Sequence, residues 1–281
     1  MSARRTIQRR VIALLAAAAL LGAVPAANVL AAAPDNDDSG SPRVVGALPF
    51  ADGPYDTSEA TSAVSDPGFC HEPEAGPDRA TVWYQFTPTA SDRYLADTFG
   101  SGYDTTLYVG TPNGTGGMDV IGCVDDTGGL QSAVAWEASA GTTYLIMVGT
   151  CCGPTTGSGG GPLEVHVTVA PPPPTVDITV DATGSFTPYG VATIRGTITC
   201  TNATFAGIDA AVSQRVGRIV IRGFGFAELE CSDTPTPWSA EVAGDNGKLL
   251  GGHATVDISV VACGAVECAD DFVHAAIRLR R

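Results

Sequence analysis

The sequence is poor in positive charge, and above all in lysine. Lys248 is the only lysine among 281 residues, and 15 Lys and Arg stand against 30 Asp and Glu, a formal net charge of −15. Because phosphate contacts need Lys and Arg, this balance excludes a nucleic-acid-binding protein. The hydrophobic fraction of 44% is too high for an intrinsically disordered chain.

Sequence motifs of common catalytic and metal centres are also missing. The chain has no H-E-x-x-H or G-x-S-x-G segment, and no C-x-x-C pair with matching histidine spacing, so zinc is not expected. The histidines are scattered along the chain as His71, His166, His253 and His274. We therefore expect no enzyme. An unrecognised secreted hydrolase, whose residues would assemble only in space, is the alternative.

The one long apolar run lies at the N-terminus. Four arginines precede the run Val11–Val24, and small residues follow it as far as Ala33. This is the pattern of a secretory signal peptide, and the run is shorter than the ~20 residues that span a bilayer. We predict a signal peptide over residues 1–31, export from the cell and no membrane span afterwards. Removing residues 1–31 takes away four arginines and no acid, so the net charge moves from −15 to −19.

Eight cysteines divide evenly between the two halves of the chain. Because the thiols of exported proteins tend to pair, we predict the disulfides Cys200–Cys231, across a sandwich, and Cys263–Cys268, at a hairpin loop. The first half allows three pairings, and adjacent cysteines rarely bond each other, so separate partners are expected for its adjacent pair. The cysteines of the first half are Cys70, Cys123, Cys151 and Cys152.

Apolar and polar residues alternate with a period of two in many short segments separated by Gly-, Asn- and Asp-rich turns. Val82, Tyr84 and Phe86 share one parity, and Leu145–Val148 is a continuous apolar run typical of a strand buried on both faces. No segment has a helical stripe. The pattern predicts an all-β protein of two disulfide-stapled β-sandwich domains, 35–170 and 175–281, joined by a stiff proline linker at 171–174.

A series of short segments in the first domain resembles the bacterial pre-peptidase C-terminal domain family. The resemblance covers residues 35–170 and rests on Asn36-Asp37-Asp38, Thr81–Pro88, Asp97–Ser101, Tyr103–Leu107, Cys123–Asp126 and Ala140–Tyr144. It implies a non-catalytic β-sandwich of the kind appended to secreted proteases. In some members the domain binds calcium and an extracellular polymer such as collagen.

The second domain resembles, more loosely, small secreted actinobacterial Ig-like sandwiches. Its strand pattern and the Cys263–Cys268 staple are similar to those of neocarzinostatin-type apoproteins, which hold an aromatic chromophore in a crevice. A carrier of a small apolar molecule is therefore an alternative function for this domain.

Calcium is the candidate metal, because it prefers oxygen ligands from carboxylates and carbonyls on loops. Plain turn formation is the other interpretation of the same residues, since Asp and Asn cap turns through their own backbone. The candidate ligands are Asp35, Asn36, Asp37, Asp38, Asp104, Asp125 and Asp126.

Four aromatic residues are candidates for contact with a ligand: Trp83, Phe224, Phe226 and Trp238. Core packing is the favoured interpretation of all four, because sandwich cores use aromatic residues routinely. Together the patterns predict a secreted, non-catalytic binding or display protein. Its partner is expected to be an extracellular polymer or cell-surface component, contacted by the first domain with the help of calcium.

Overall fold

All regular structure in the described part of the chain is β-strand. The computed structural model describes residues 32–68, 70, 78–127, 129–151 and 159–281, so the predicted signal peptide over 1–31 and Cys152 lie outside it. Seventeen strands and no helix occur in these residues, which confirms the all-β prediction. None of the described segments is a helix long and apolar enough to cross a membrane.

Nine strands precede the four prolines and form two sheets. The five-stranded sheet has the order β1-β3-β8-β5-β6, and the four-stranded sheet the order β2-β9-β4-β7. Side chains from both sheets share one core, so this half is a sandwich. The strands are β1 (Arg43–Val45), β2 (Phe50–Asp56), β3 (Arg79–Phe86), β4 (Asp92–Asp97), β5 (Thr105–Pro112), β6 (Met118–Val124), β7 (Ala133–Ala138), β8 (Tyr144–Thr150) and β9 (Pro162–Val169).

The central strands of the five-stranded sheet are buried on both faces. All seven residues of β8 are buried, as its continuous apolar run predicts. In β3, Tyr84 points into the core between the sheets, whereas Trp83 points to the opposite face. Trp83 packs there against Met147, and both cysteines of the Cys70–Cys123 disulfide lie against this second cluster. The disulfide thus helps to cover the side of this sheet that is turned away from the core between the two sheets.

Eight strands follow the prolines, six of them longer than any strand before the prolines, and form one continuous sheet that closes on itself. Its order is β10-β12-β11-β17-β16-β13-β14-β15, and β12 also pairs with β15. The alternating residues Ala192, Ile194, Ile198 and Cys200 of β12 are all buried, as predicted. The strands are β10 (Thr175–Ile178), β11 (Thr183–Phe186), β12 (Val191–Thr201), β13 (Phe205–Val216), β14 (Ile219–Glu230), β15 (Thr236–Gly244), β16 (Gly252–Cys263) and β17 (Cys268–Arg280).

The two disulfides predicted for the second half are confirmed. Cys200 bonds Cys231 and Cys263 bonds Cys268. In the first half Cys70 bonds Cys123, with their Cα atoms 5.7 Å apart. The expectation that Cys151 and Cys152 would each take one of these two as a partner is therefore wrong. The physical reason is that Cys70, whose backbone N–H donates to the Tyr108 hydroxyl of β5 at 3.0 Å, lies beside Cys123 of β6. Cys151 is disulfide-bonded as well.

The proline segment is attached at both ends by hydrogen bonds. The Arg93 guanidinium donates to the carbonyl oxygen of Pro171 at 3.0 Å, and Asn202 Nδ2 donates to that of Pro173 at 3.1 Å. Arg93 also forms an ion pair with Glu267, in the loop between β16 and β17. Residues Pro34–Arg281 thus form a single compact unit.

Candidate functional site

Phe224 and Phe226 lie on the outside of the second sheet. Their exposed fractions are 57% and 54%, so the favoured interpretation of core packing is wrong for both. In β14 the inward positions belong to Ile221, Gly223 and Gly225. A Cβ at Gly225 would lie 2.3 Å from the carbonyl oxygen of Glu241, so β14 passes too close to β15 for an inward side chain. The phenylalanines therefore occupy the alternate positions of β14, whose side chains point outward.

Two further phenylalanines, which the sequence interpretation missed, lie on the same side. Phe205 on β13 is 50% exposed and Phe272 on β17 is 59% exposed, with Val261 of β16 between them at 46%. The signal for Phe272 was present, because it alternates with the inward residue Val273. We call the outward side of β14, β13, β16 and β17, in that spatial order, the outer face.

Strand register arranges the outer face in rows that run across the strands. One row contains Phe226, Asp209, Ser259 and Phe272 as successive cross-strand partners. At ~4.8 Å per strand, the two phenylalanines of this row are about 14 Å apart. The Phe226 ring leans over Gly207, since its Cε2 atom lies 3.6 Å from where a Cβ of that glycine would be.

Carboxylates are interspersed among these rings. Asp257 Oδ1 and His274 Nδ1 are hydrogen-bonded at 2.6 Å. The four rows from Phe205 to Phe224 along the strands, all within the described residues, contain no Lys or Arg. Their acidic residues are Asp209, Glu228, Glu230, Asp257 and Asp270. The outer face is thus both aromatic and negatively charged.

The two candidate tryptophans are buried. Trp83 is 1% exposed and Trp238 is 4% exposed. Trp238 belongs to the core of the second half and donates from Nε1 to the carbonyl oxygen of Thr179 at 3.0 Å. It therefore lies on the opposite side of the sheet from Phe224 and Phe226, and the structure does not join the three residues around one crevice.

The acidic residues near the N-terminus each have a structural partner. Asp35 pairs with Arg43 at 2.5 Å, and Asp38 Oδ1 accepts from the backbone N–H of Gly40 at 2.7 Å. Asn36 is fully buried and donates to the carbonyl oxygen of Trp83 at 3.1 Å. The Asp38 contact is that of a turn former, as the alternative interpretation expects, whereas Asp35 forms an ion pair and Asn36 bonds a strand residue 47 positions away.

Asp66, which the sequence interpretation missed, lies near Asp37 and Asp38. Burial raises the pKa of the Asp66 carboxyl, and the charges of Asp38 and Asp37 raise it further. Asp37 accepts from the Thr61 backbone N–H at 2.5 Å. The position of Asp66 in a Ser-Asp-Pro-Gly turn was the one sequence signal, and it did not show which loop the turn would meet.

Asp104 and Asp125, from separate turns, are brought together as the sequence interpretation allowed. One ligand atom from each lies within 4.8 Å of the other and of Cys151 Sγ. Cys151 is disulfide-bonded, so its sulfur is not a thiolate and is a poor metal ligand. Asp126 is exposed. Two carboxylates are few for calcium, which takes six to eight oxygens.

Two histidines form pairs with aspartates on the strands. His166 Nδ1 lies 2.9 Å from Asp97 Oδ1 in the first half, and His274 pairs with Asp257 on the outer face. Both histidines occupy the polar parity of their strands, as predicted. His71 lies outside the described residues.

Comparison with known proteins gives no family. No protein-family model and no curated protein matches the chain. Among solved structures, a Bacteroides uniformis β-glucuronidase is 14% identical with a TM-score of 0.23. The match covers 70% of this chain and 26% of the glucuronidase chain. An Amycolatopsis orientalis exo-chitosanase is 12% identical with a TM-score of 0.23, covering 68% and 25%. Endo-D from Streptococcus pneumoniae is 12% identical with a TM-score of 0.27, covering 70% and 31%. The chain thus spans about a third or less of their length, and TM-scores this low support no conclusion about function.

Proposed function

We propose that the protein is an exported, non-catalytic binding protein that holds an extracellular polymer on the outer face. The observation that carries the proposal is the set of four phenylalanines, each between 50% and 59% exposed, on one side of one sheet. Single exposed apolar residues are ordinary, but a patch of exposed rings on neighbouring strands, here with carboxylates between them, is typical of an interaction site. The patch lies in the second half, whereas the sequence interpretation expected the first half to make the contact.

Export is supported by the disulfides. Three are formed between described cysteines, and Cys151 is also bonded. Such bonds persist in oxidising compartments and are rare in the cytosol. The predicted signal peptide over residues 1–31 agrees with this location.

The geometry favours a binding face over a carrier pocket. A carrier would need an apolar crevice shared by Phe224, Phe226 and Trp238, but Trp238 is in the core on the other side of the sheet. The outer face instead offers rings on a broad surface formed by four neighbouring strands. This shape suits an extended partner lying across the strands.

The test is a binding panel with variants of the face. Wild type, a Phe226→Ala/Phe272→Ala double variant and a Tyr189→Ala control, altered at an 83% exposed aromatic ring elsewhere, are incubated with extracellular polysaccharides and structural proteins. We expect wild type and control to bind the same polymer and the double variant to lose binding. Equal binding by the double variant would contradict the proposal. Shortening of the bound polymer, followed by size-exclusion chromatography, would support the hydrolase alternative instead.

Calcium in the first half is a second proposal, consistent with the resemblance to the pre-peptidase C-terminal family. Asp37, Asp38 and Asp66 lie close enough for their charges to raise the pKa of Asp66, and the buried Asn36 Oδ1 accepts no hydrogen bond from the described residues. Carboxylate and amide oxygens are the ligands that calcium prefers. The three carboxylates would have to move together to hold the ion with Asn36, because their oxygens do not all lie within 4.8 Å of one another in the described residues. The charge of the ion would offset the repulsion among them.

Thermal unfolding with calcium or with a chelator tests this second proposal. At a calcium concentration about 100 times the dissociation constant, binding should stabilise the fold by ~2.7 kcal/mol. The gain should disappear in Asp66→Asn. It should persist in Asp209→Asn, a control with the same chemical change on the outer face. An unchanged melting temperature of the wild type at saturating calcium would rule the site out.

A further inference from the structure

The outer face is organised in diagonal stripes of different chemistry. Glu228 of β14, Asp209 of β13 and Asp257 of β16 follow one another at steps of one strand and one row. Phe205 of β13 and Phe272 of β17 lie at the ends of a parallel stripe. Val261 occupies the middle of that second stripe. The first is a line of carboxylates and the second is apolar.

Small residues separate the two stripes. Gly207 and Ser259 lie between them, on β13 and β16, and the Phe226 ring lies over Gly207. We call this diagonal strip the lane. Carboxylates bound the lane on one side, and apolar side chains bound it on the other. Measured across the strands, the lane extends about 14 Å from β14 to β17, at ~4.8 Å per strand.

We infer that the outer face binds a polysaccharide that carries free amino groups, an inference that rests on the proposed function. A sugar ring has apolar C–H faces that can lie against phenylalanine, and a protonated amine at its edge would reach the carboxylates. Such charge-assisted hydrogen bonds are roughly twice as strong as neutral ones. The lane thus matches a chain that is apolar on its faces and cationic along its edge.

Charge complementarity selects the amine. The stripes contain no Lys or Arg, and the whole chain carries a net charge of −15. Hydroxyls of a neutral polymer can donate hydrogen bonds to the carboxylates but leave their charge uncompensated, which costs desolvation energy. An anionic polymer would be repelled. A cationic chain gains charge-assisted hydrogen bonds at Asp209 and Glu228, the two stripe carboxylates other than Asp257, which pairs with His274.

A sheet face suits a polysaccharide better than a basic peptide. β13 and β16 each have neighbours on both sides, so their backbone groups are already bonded within the sheet. An extended peptide usually binds by adding to a sheet edge, where its own backbone finds partners. The backbone amides of a peptide lying across this face would find few hydrogen-bond partners. A chain of amino sugars with free amines carries no amide in each unit, so it does not need such partners.

The experiment compares a glucosamine oligomer with the same oligomer fully N-acetylated, at a pH where the amines are protonated. The proteins are wild type, Phe272→Ala, Asp209→Asn and Asp119→Asn, the last removing an exposed acid on β6 of the first half. We expect wild type and Asp119→Asn to prefer the amine form by at least about tenfold, because each charged hydrogen bond contributes a factor of this order. Asp209→Asn should lose most of that preference, and Phe272→Ala should weaken both forms.

The outcomes separate this inference from the proposed function. Equal binding of both oligomers, with loss in Phe272→Ala, would keep the binding face and overturn the role of the amine. Failure of wild type to bind either oligomer would overturn the amino-polysaccharide, while another polymer in the panel could still support the proposed function. A polylysine arm identifies the rival partner: polylysine binding that depends on Asp209, without oligomer binding, would assign the face to basic peptides.

Discussion

Removal of the Cys200–Cys231 disulfide should destabilise the second half more than removal of Cys263–Cys268. The two bonds belong to the same sheet and differ chiefly in the length of chain that they close, with sequence separations of 31 and 5. A cross-link limits the freedom of the unfolded chain, and the longer loop gains more from it. The pair therefore forms a matched test of this effect.

The expected costs follow from the loop lengths. The chain-entropy relation gives about 3.7 kcal/mol for the longer loop and about 2.1 kcal/mol for the shorter one. For a chain of this size each kcal/mol shifts the melting temperature by about 2–4 °C, so the expected shifts are about 7–15 °C and about 4–8 °C. Cys200 is 2% exposed, so the loss of its packed sulfur adds to the larger cost.

The assay is urea unfolding of Cys200→Ala/Cys231→Ala and Cys263→Ala/Cys268→Ala, followed by the fluorescence of Trp238, the one tryptophan of the second half. Alanine is used because it leaves no buried hydroxyl at position 200. Equal costs for the two variants, or a larger cost for Cys263→Ala/Cys268→Ala, would refute the loop-closure reasoning.

Two further predictions concern packing and pH. Gly196→Ala should destabilise the fold by at least about 3 kcal/mol in thermal melting, because its Cβ would lie 1.9 Å from the carbonyl oxygen of Thr179. Gly46→Ala, with nothing within 4 Å, should change little. Alkaline pH should destabilise the first half selectively, because burial raises the pKa of four tyrosines there. Below pH ~10 these phenols are neutral in both states. As the pH rises above that value the unfolded chain ionises first, and stability falls by up to ~1.4 kcal/mol per pH unit for each tyrosine. In Trp238→Phe the remaining tryptophans, Trp83 and Trp136, both report on the first half. An unfolding midpoint that stays constant from about one pH unit below to about one unit above ~10 would contradict the prediction. The four are Tyr55, Tyr84, Tyr103 and Tyr108.

Local patterns were sufficient to predict the fold class. Alternation along β12 and the continuous apolar run of β8 depend only on neighbours in sequence, and both have the burial that they predict. The same periodicity could have placed Phe224 outward, had the inward glycines beside it been counted as part of the pattern. The disulfides of the second half were predictable because Cys263 and Cys268 are five residues apart, a spacing that closes a hairpin loop, which leaves Cys200 to pair with Cys231.

Contacts between distant segments decided the rest. Cys70 bonds Cys123 across a separation of 53 residues because the tertiary fold places Cys70 beside Tyr108 of β5 and Cys123 of β6, and nothing local distinguishes this pairing from the others. Asp66 meets Asp37 and Asp38 only when two loops fold together.

The sequence by itself determined an all-β chain, the parity of its strands and two of its disulfides, because period and spacing are local properties. Only the tertiary structure decided which strands are neighbours and in which register. A shift of one residue would turn every side chain of a strand to the other face. The register is what places Phe226, Asp209 and Phe272 in one row, and so it is what creates the outer face.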